Sequence, residues 1–277
     1  MPASMPAPPV RPRLSIGWGA LLGIAALLAA RPAAAENGLL LIDAPPAEGY
    51  SLSAGPALLG YPSAPGSGRT ETLLIPGVDF YSSLGFFAST EMGLGWNFSR
   101  RQDLQYGLRL WPITGRDDDD DARLSKLDRF GTRLGRGVFL NYAPWEFMTL
   151  QSSVLAGSGR NGSGVQAEVG ATVGARLGEA TLVGLTLGTT WANRAHRRDY
   201  FGVTPQESQA SGLPVWSPGA GWQDVSLALS GEMPINDRWK LSGQVSSTRL
   251  LGDAADSPVS LSRYDTNFSL TLWYRFN

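Results

Sequence analysis

Residues 264–276 read Tyr-Asp-Thr-Asn-Phe-Ser-Leu-Thr-Leu-Trp-Tyr-Arg-Phe, and this stretch decides how the whole chain is read. Phe268, Leu270, Leu272, Tyr274 and Phe276 fall on even positions, while Asn267, Ser269, Thr271 and Arg275 stand between them. A period of two is the signature of an extended strand with one apolar face. The pattern recurs upstream. Val165, Ala167, Val169, Ala171, Val173 and Ala175 alternate with Gln166, Glu168, Gly170, Thr172, Gly174 and Arg176. Val183, Leu185, Leu187 and Trp191 repeat it, as do Val225, Leu227 and Leu229, and Leu104, Tyr106, Leu108 and Leu110.

A soluble β-sandwich also alternates, so the character of the second face separates the two architectures. Here it is small and polar, built of Gly, Ser, Thr and Gln with scattered charges, where a water-facing sheet carries Lys and Glu. Such a face suits the confined polar lumen of a membrane barrel. The segments are also long, about ten to thirteen residues against the five or six of a typical globular strand. Aromatic residues gather near strand ends at Trp145 and Phe147, Trp191, Trp222, Trp239, and Trp273 with Tyr274, as in an interfacial girdle. A sheet in hydrocarbon must close on itself, because an open edge leaves backbone groups unpaired. The expected fold is therefore an all-β, closed antiparallel transmembrane barrel.

Tight turns at Ser99–Gln102, Ala143-Pro144, Leu177–Glu179 and Pro234–Asp237 alternate with longer polar connections at about 115–131, 158–163, 194–218 and 251–263. Outer-membrane barrels place short turns in the periplasm and long loops outside. Eight strands follow, at about 104–114, 132–143, 146–157, 164–176, 180–193, 219–232, 237–250 and 264–276. Residues 50–61 and 71–81 add one strand each. Residues 86–98 form either one long strand or two short ones split around Glu91-Met92-Gly93. Bacterial barrels use even strand numbers, so the split predicts twelve, with ten as the alternative if one early segment lies outside the wall.

Composition narrows the function classes. The 277 residues include no Cys and a single His, which excludes a disulfide framework, a thiolate metal site and a His-rich centre, and no cofactor or metal is expected. A formal charge of −1 offers no basic excess for nucleic acid. Residues 1–35 read as an export signal, with Arg11 and Arg13 before the apolar run Leu14–Ala30 and small residues Ala33-Ala34-Ala35 before Glu36. A retained membrane helix is the rival reading, against which Pro32 and the small-residue site argue. Cleavage leaves 20 basic against 24 acidic residues, then a short periplasmic segment 36–48 and a barrel 49–277.

Candidate sites are few. His196 lies in Arg194-Ala195-His196-Arg197-Arg198 with Asp199 and serines nearby, yet nothing in the sequence supplies the Ser–His–carboxylate geometry of a hydrolase, and the expected reading is a solvated loop residue. Asp117–Asp121 is an acidic run without calcium-loop spacing, read as a solvated loop with divalent bridging as the alternative. Arg194, Arg197 and Arg198 either balance the charge of a neighbouring acidic loop or contact the phosphates of lipopolysaccharide, which guanidinium groups match. Arg109, Glu168, Arg176, Asp224, Glu232, Lys240 and Arg275 fall on the inward face, where they either line a conduction path or pair across the lumen and plug it. Leu270, Leu272, Tyr274 and Phe276 resemble the C-terminal signal read by the barrel assembly machinery, although Asn277 follows the terminal aromatic.

Two loop motifs add a resemblance. Tyr200-Phe201-Gly202-Val203-Thr204-Pro205 with Ser211-Gly212-Leu213-Pro214, and Ser247-Thr248-Arg249-Leu250-Leu251-Gly252-Asp253 with Asp256-Ser257-Pro258-Val259, resemble the long-loop signatures of the MipA/OmpV family of outer-membrane proteins. The resemblance runs from about residue 49 to 276. It implies a non-catalytic barrel in the outer membrane, in contact with lipid and lipopolysaccharide, that serves as a scaffold for a lytic transglycosylase and a penicillin-binding murein synthase. A narrow porin-like channel for small hydrophilic solutes is the alternative role.

Overall fold

The computed structural model describes residues 45–116, 124–178 and 180–277. The signal segment, most of the segment before the barrel and the Asp117–Asp121 run lie outside the described residues. Twelve strands close into one antiparallel barrel: β1 (Tyr50–Pro62), β2 (Thr70–Ser82), β3 (Phe86–Ser89), β4 (Gly93–Asn97), β5 (Leu104–Ile113), β6 (Arg133–Trp145), β7 (Met148–Ser158), β8 (Gly164–Leu177), β9 (Thr181–Ala192), β10 (Gly221–Pro234), β11 (Trp239–Leu250) and β12 (Tyr264–Arg275). Each pairs with its sequence neighbours, and β1 pairs with β12 to close the wall. The split around Glu91-Met92-Gly93 thus holds and makes the count twelve rather than ten.

Alternation sorts the side chains as expected. Leu185, Leu187, Leu227, Leu229 and Val245 stand exposed on the outer surface, while Thr186, Thr190, Ser230 and Ser246 are buried inside. Exposed leucines on the outside of a closed sheet are unfavourable in water and favourable in hydrocarbon, so the outer surface is a lipid-facing one. Trp191 and Trp222 pair across β9 and β10 near one rim of this belt, and Trp145 stacks on Phe147 at the other. Trp273 departs from the girdle expectation. It is inward and buried, and its indole N–H donates to Ser242 Oγ at 2.8 Å. Its odd position on β12 shares the face of Thr271, so parity overrides the aromatic's usual place at the interface.

At one end the strands are joined by tight turns; at the other, by long connections. The closing seam between β1 and β12 finishes at the turn end. Phe276 N–H donates to Leu52 O, and the Asn277 side chain bridges the first residues of β1, accepting from Leu52 N–H at 3.0 Å and donating to Tyr50 O at 2.7 Å. The residue that departs from the usual C-terminal signal therefore continues the pairing through its amide.

The long connections are not loose polar loops. Residues 194–218 contain α1 (Arg194–Phe201) and α2 (Pro205–Ser211), residues 251–263 contain the short α3 (Gly252–Ala255), and a 3-10 turn covers Leu124–Lys126. None of the described helices is long and apolar enough to cross a membrane.

Candidate functional site

Two regions hold the unusual chemistry: a folded cap over the loop end, and the lumen beneath it. The cap begins with local signals. Asn193 Oδ1 accepts from His196 N–H at 2.9 Å as the N-cap of α1, and the same oxygen accepts from Val165 N–H of β8, which ties the helix to the wall. α2 opens with a capping box in which Thr204 Oγ1 accepts from Glu207 N–H and Glu207 accepts from Thr204 N–H, with Pro205 at the first helical position. It ends at Gly212, whose φ of +77° is the left-handed cap that glycine adopts without a Cβ penalty. Thr204-Pro205-Gln206-Glu207 followed by Gly212 is a legible helix sentence that the polar-loop reading passed over.

These elements share private cores. Tyr200 and Phe201 of α1 pack with Phe130, Leu250, Ala254 and Ala255, and Phe201 is fully buried. Val203 packs with Leu124, Leu127, Val259, Leu213 and Trp216, and its backbone pairs with that of Trp216. The two sequence motifs meet here. Ser257 Oγ donates to Phe201 O at 2.6 Å, joining the second motif to the first. Asp253 accepts from Gly219 N–H, Gly202 ends α1 by donating to Arg198 O, Ser211 Oγ donates to Glu207 O, and Pro258 lies half-buried between Ser257 and Val259. Arg249 and Asp256 stand apart: Arg249 lies over the Tyr264 ring on the outer rim, and Asp256 pairs with Arg263 in an exposed position.

Glu207 is the electrostatic centre of the cap. It accepts from the Arg116 guanidinium at 3.1 Å and from Asp128 N–H at 2.9 Å, with Arg160 at 3.5 Å. Burial pushes its carboxyl up, but the Thr204 and Asp128 backbone N–H groups, the Thr204 hydroxyl and Arg116 outweigh that and hold it below the usual range.

His196 corrects the reading of a solvated loop. It is 3% exposed, stacked on Tyr200 with ring centroids 4.3 Å apart, and its Nδ1 is 2.8 Å from Ser158 Oγ. Burial pushes its pKa down to about 3 against the opposing influence of the nearby Gln223 amide, and Arg197 beside it acts in the same direction as burial. A Ser–His contact is half of a hydrolytic triad, but Ser158 is wholly buried and Asp199 is spent on Arg160 N–H at 2.7 Å. The Ser158 hydroxyl is not presented to solvent. The contact pins α1 to the end of β7. Arg197 likewise leaves the phosphate-facing set: it is buried and donates to Gly219 O at 3.0 Å, while Arg194 and Arg198 remain exposed.

In the lumen, Glu232 pairs with Lys240 at 3.2 Å, Ser153 Oγ donates to Glu168 at 3.3 Å, and the Arg109 guanidinium lies 4.6 Å from the centre of the Trp111 ring. Asp224 is buried at the loop end of β10, beneath the cap. Arg176 and Arg275 lie at the turn-end mouth, where both are exposed. Tyr81, Phe87 and Phe139, inward and buried, stack into an aromatic layer with Met92 across the β2–β6 side. Among the described residues no cluster of three His, Cys, Asp or Glu is arranged to hold a metal ion.

A closed twelve-stranded barrel with a lipid-facing exterior and a polar interior is a protein of the outer-membrane class. The family model for "MltA-interacting protein MipA" matches residues 54–276, and the chain belongs to that family. Over 224 residues it is 25% identical to the Escherichia coli (strain K12) "Putative outer membrane protein YiaT", covering 80% of this chain and 87% of that one. It is 29% identical over 90 residues to the Escherichia coli (strain K12) MltA-interacting protein, covering 32% of this chain and 36% of the relative. An outer membrane channel from Pseudomonas putida F1 aligns at 11% identity and a TM-score of 0.38, over 85% of this chain and 100% of that one.

Proposed function

We propose that the protein is a non-conducting outer-membrane barrel that acts as a scaffold, with its long loops facing outward and its turn end facing the periplasm. The observation that carries this reading is the cap. Two apolar cores and a buried Arg116–Glu207 pair knit the long connections together at the loop end, the end from which a solute would enter. The aromatic layer and the Glu232–Lys240 pair stand in the lumen below.

On this reading solutes do not pass the lumen, and function falls to the two ends. The turn end offers exposed apolar residues at Leu84, Phe98, Phe147 and Ile235 beside charged Arg100 and Arg101, a surface suited to a protein partner. A lytic transglycosylase is the first candidate, since a relative is named for interacting with MltA, and a penicillin-binding murein synthase is the second. Leu270, Leu272, Tyr274 and Phe276 form the outward C-terminal face that the assembly machinery would read.

The test is twofold. The protein purified from outer membranes is inserted in a planar bilayer and, separately, offered to a purified lytic transglycosylase in detergent. Silence in the bilayer with retention of the transglycosylase is the expected result. Discrete conductance steps with no retention would replace the scaffold with the channel.

A further inference from the structure

The wall of the barrel is not of even height. β3 and β4 form a hairpin of only four and five residues, and β2 pairs with β3 at Asp79–Tyr81 alone, with Thr90 N–H reaching Val78 O just above. On that side Thr70–Gly77 has no strand neighbour among the described residues. Across the space stands β5, which pairs with β4 only as far as Leu110. Eight residues of β2 span roughly 26 Å along the strand at about 3.3 Å each. At a tilt of about 40° this is roughly 20 Å of height, so the opening overlaps much of the loop-side half of an apolar band about 25 Å tall.

Both edges of this cleft are built to stay unpaired. Thr90 donates to Val78 O, so the even-numbered backbone groups of β2 face the hairpin side. Phe98 donates to Tyr106 O, so the even-numbered groups of β5 face it too. Pro76 and Pro112 are even-numbered on those two strands, and each aims the position of its missing N–H into the cleft. A strand added there would lose a hydrogen bond at either edge, which argues against a peptide or a second copy as occupant.

The cleft has an apolar floor. Ala57 and Leu59 are buried inside the barrel, and Tyr61, Ile75 and Trp111 pack against them, so the Trp111 indole reaches from β5 to the inner faces of β1 and β2. Arg109 stacked on Trp111 holds the ring in place. At the outer rim Leu74, Val78 and Leu110 are exposed to the hydrocarbon.

We propose that this cleft is a lipid site, in which an acyl chain of a phospholipid-like molecule from the loop-side leaflet lies between β2 and β5 on the Ile75–Trp111 floor. The chain fills an apolar recess open to its own phase. Ester carbonyls accept from the edge N–H groups of Thr72 and Leu74, which have no partner among the described residues and would otherwise be left unpaired in hydrocarbon. The prolines remove the deeper donor on one edge and its counterpart on the other, where only methylenes would meet them.

The experiment uses the protein purified from outer membranes and reconstituted in phosphatidylcholine nanodiscs containing a phosphatidylcholine with a diazirine in one acyl chain. After irradiation, adducts are located by mass spectrometry. Outward Leu74 and Leu110 label in any barrel. The expected result is additional label on inward Ile75 and Trp111, with none on inward Thr186 and Ser230 of the opposite wall. Label confined to outward residues would overturn the proposal, and so would equal label on Thr186 and Ser230, which would mean entry through the barrel end. Ile75→Asp, shown folded by heat-modifiable migration, is expected to lose the Trp111 adduct several-fold while Leu110 keeps its own; unchanged Trp111 labelling would overturn the assigned floor. The wild-type pattern decides alone if that variant does not fold.

Discussion

The two ends of this barrel are made from the same strands and obey different physics. At the turn end, connections as short as Glu146-Phe147 leave nothing to fold, and apolar side chains such as Trp145 and Phe147 stay exposed, stacked on each other. At the loop end, longer connections bury Phe201, Leu250, Ala254 and Val203 in cores of their own and neutralise Glu207 against Arg116. A connection becomes a structure once it is long enough to bury side chains whose apolar contact offsets its ordering entropy. The cap should therefore have a stability of its own, and mutations at the two ends should not mix.

The sharpest way to break that separation is Phe201→Ala. Losing a fully buried phenyl ring should cost the cap about 4 kcal/mol. Hydrogen exchange is expected to rise across residues 194–216 and 251–260 while heat-modifiable migration and turn-end protection stay unchanged. Collapse of the whole barrel would show that the cap is no separate unit. Glu207→Gln should cost about 3 kcal/mol, because it leaves Arg116 buried without its anion. Its expected readout is faster proteolysis within residues 124–133 and 204–216.

Acidification sharpens the comparison further. His196 is held neutral in the folded cap down to about pH 3, against an ordinary value of 6.5. Above pH 6.5 neither state is protonated and there is no penalty. Below it the unfolded segment takes up a proton that the folded one refuses, so cap stability falls by up to about 1.4 kcal/mol per pH unit, or about 2 kcal/mol by pH 5. Glu207, held below its ordinary value, adds a loss of the same sign at lower pH. Protease sensitivity of the cap followed from pH 7.5 to 5 should show this slope in the wild type, and His196→Phe should flatten it. The smallest effect is expected at the other end, where Trp145→Ala should leave cap exchange unchanged within error; a loosened cap would mean the two ends are coupled through the wall.

Much of the barrel is legible in the sequence. Residues 264–276, 164–176 and 180–193 reappear as β12, β8 and β9 within a residue or two at each end, because a two-residue period in a membrane sheet is enforced at every position by lipid on one side and lumen on the other. The cap was less legible. Helices of eight and seven residues carry too few turns for a periodic stripe, and the one strong local signal, the Thr204–Glu207 capping box, has to be sought by its end residues. His196 was misplaced for a related reason. Its burial comes from Ser158, Tyr200 and Gln223, and two of these are distant in the chain.

Alternation and turn spacing in the chain itself carry the barrel and its lipid-facing surface, since each follows from forces acting on neighbouring residues, while the choice of twelve strands over ten needed the pairing of β3 with β4. The cap, the buried Ser158–His196 contact and the cleft between β2 and β5 exist only in the folded molecule. Each depends on which distant segments meet, and that is set by the closure of the sheet and by packing between connections that no local pattern records.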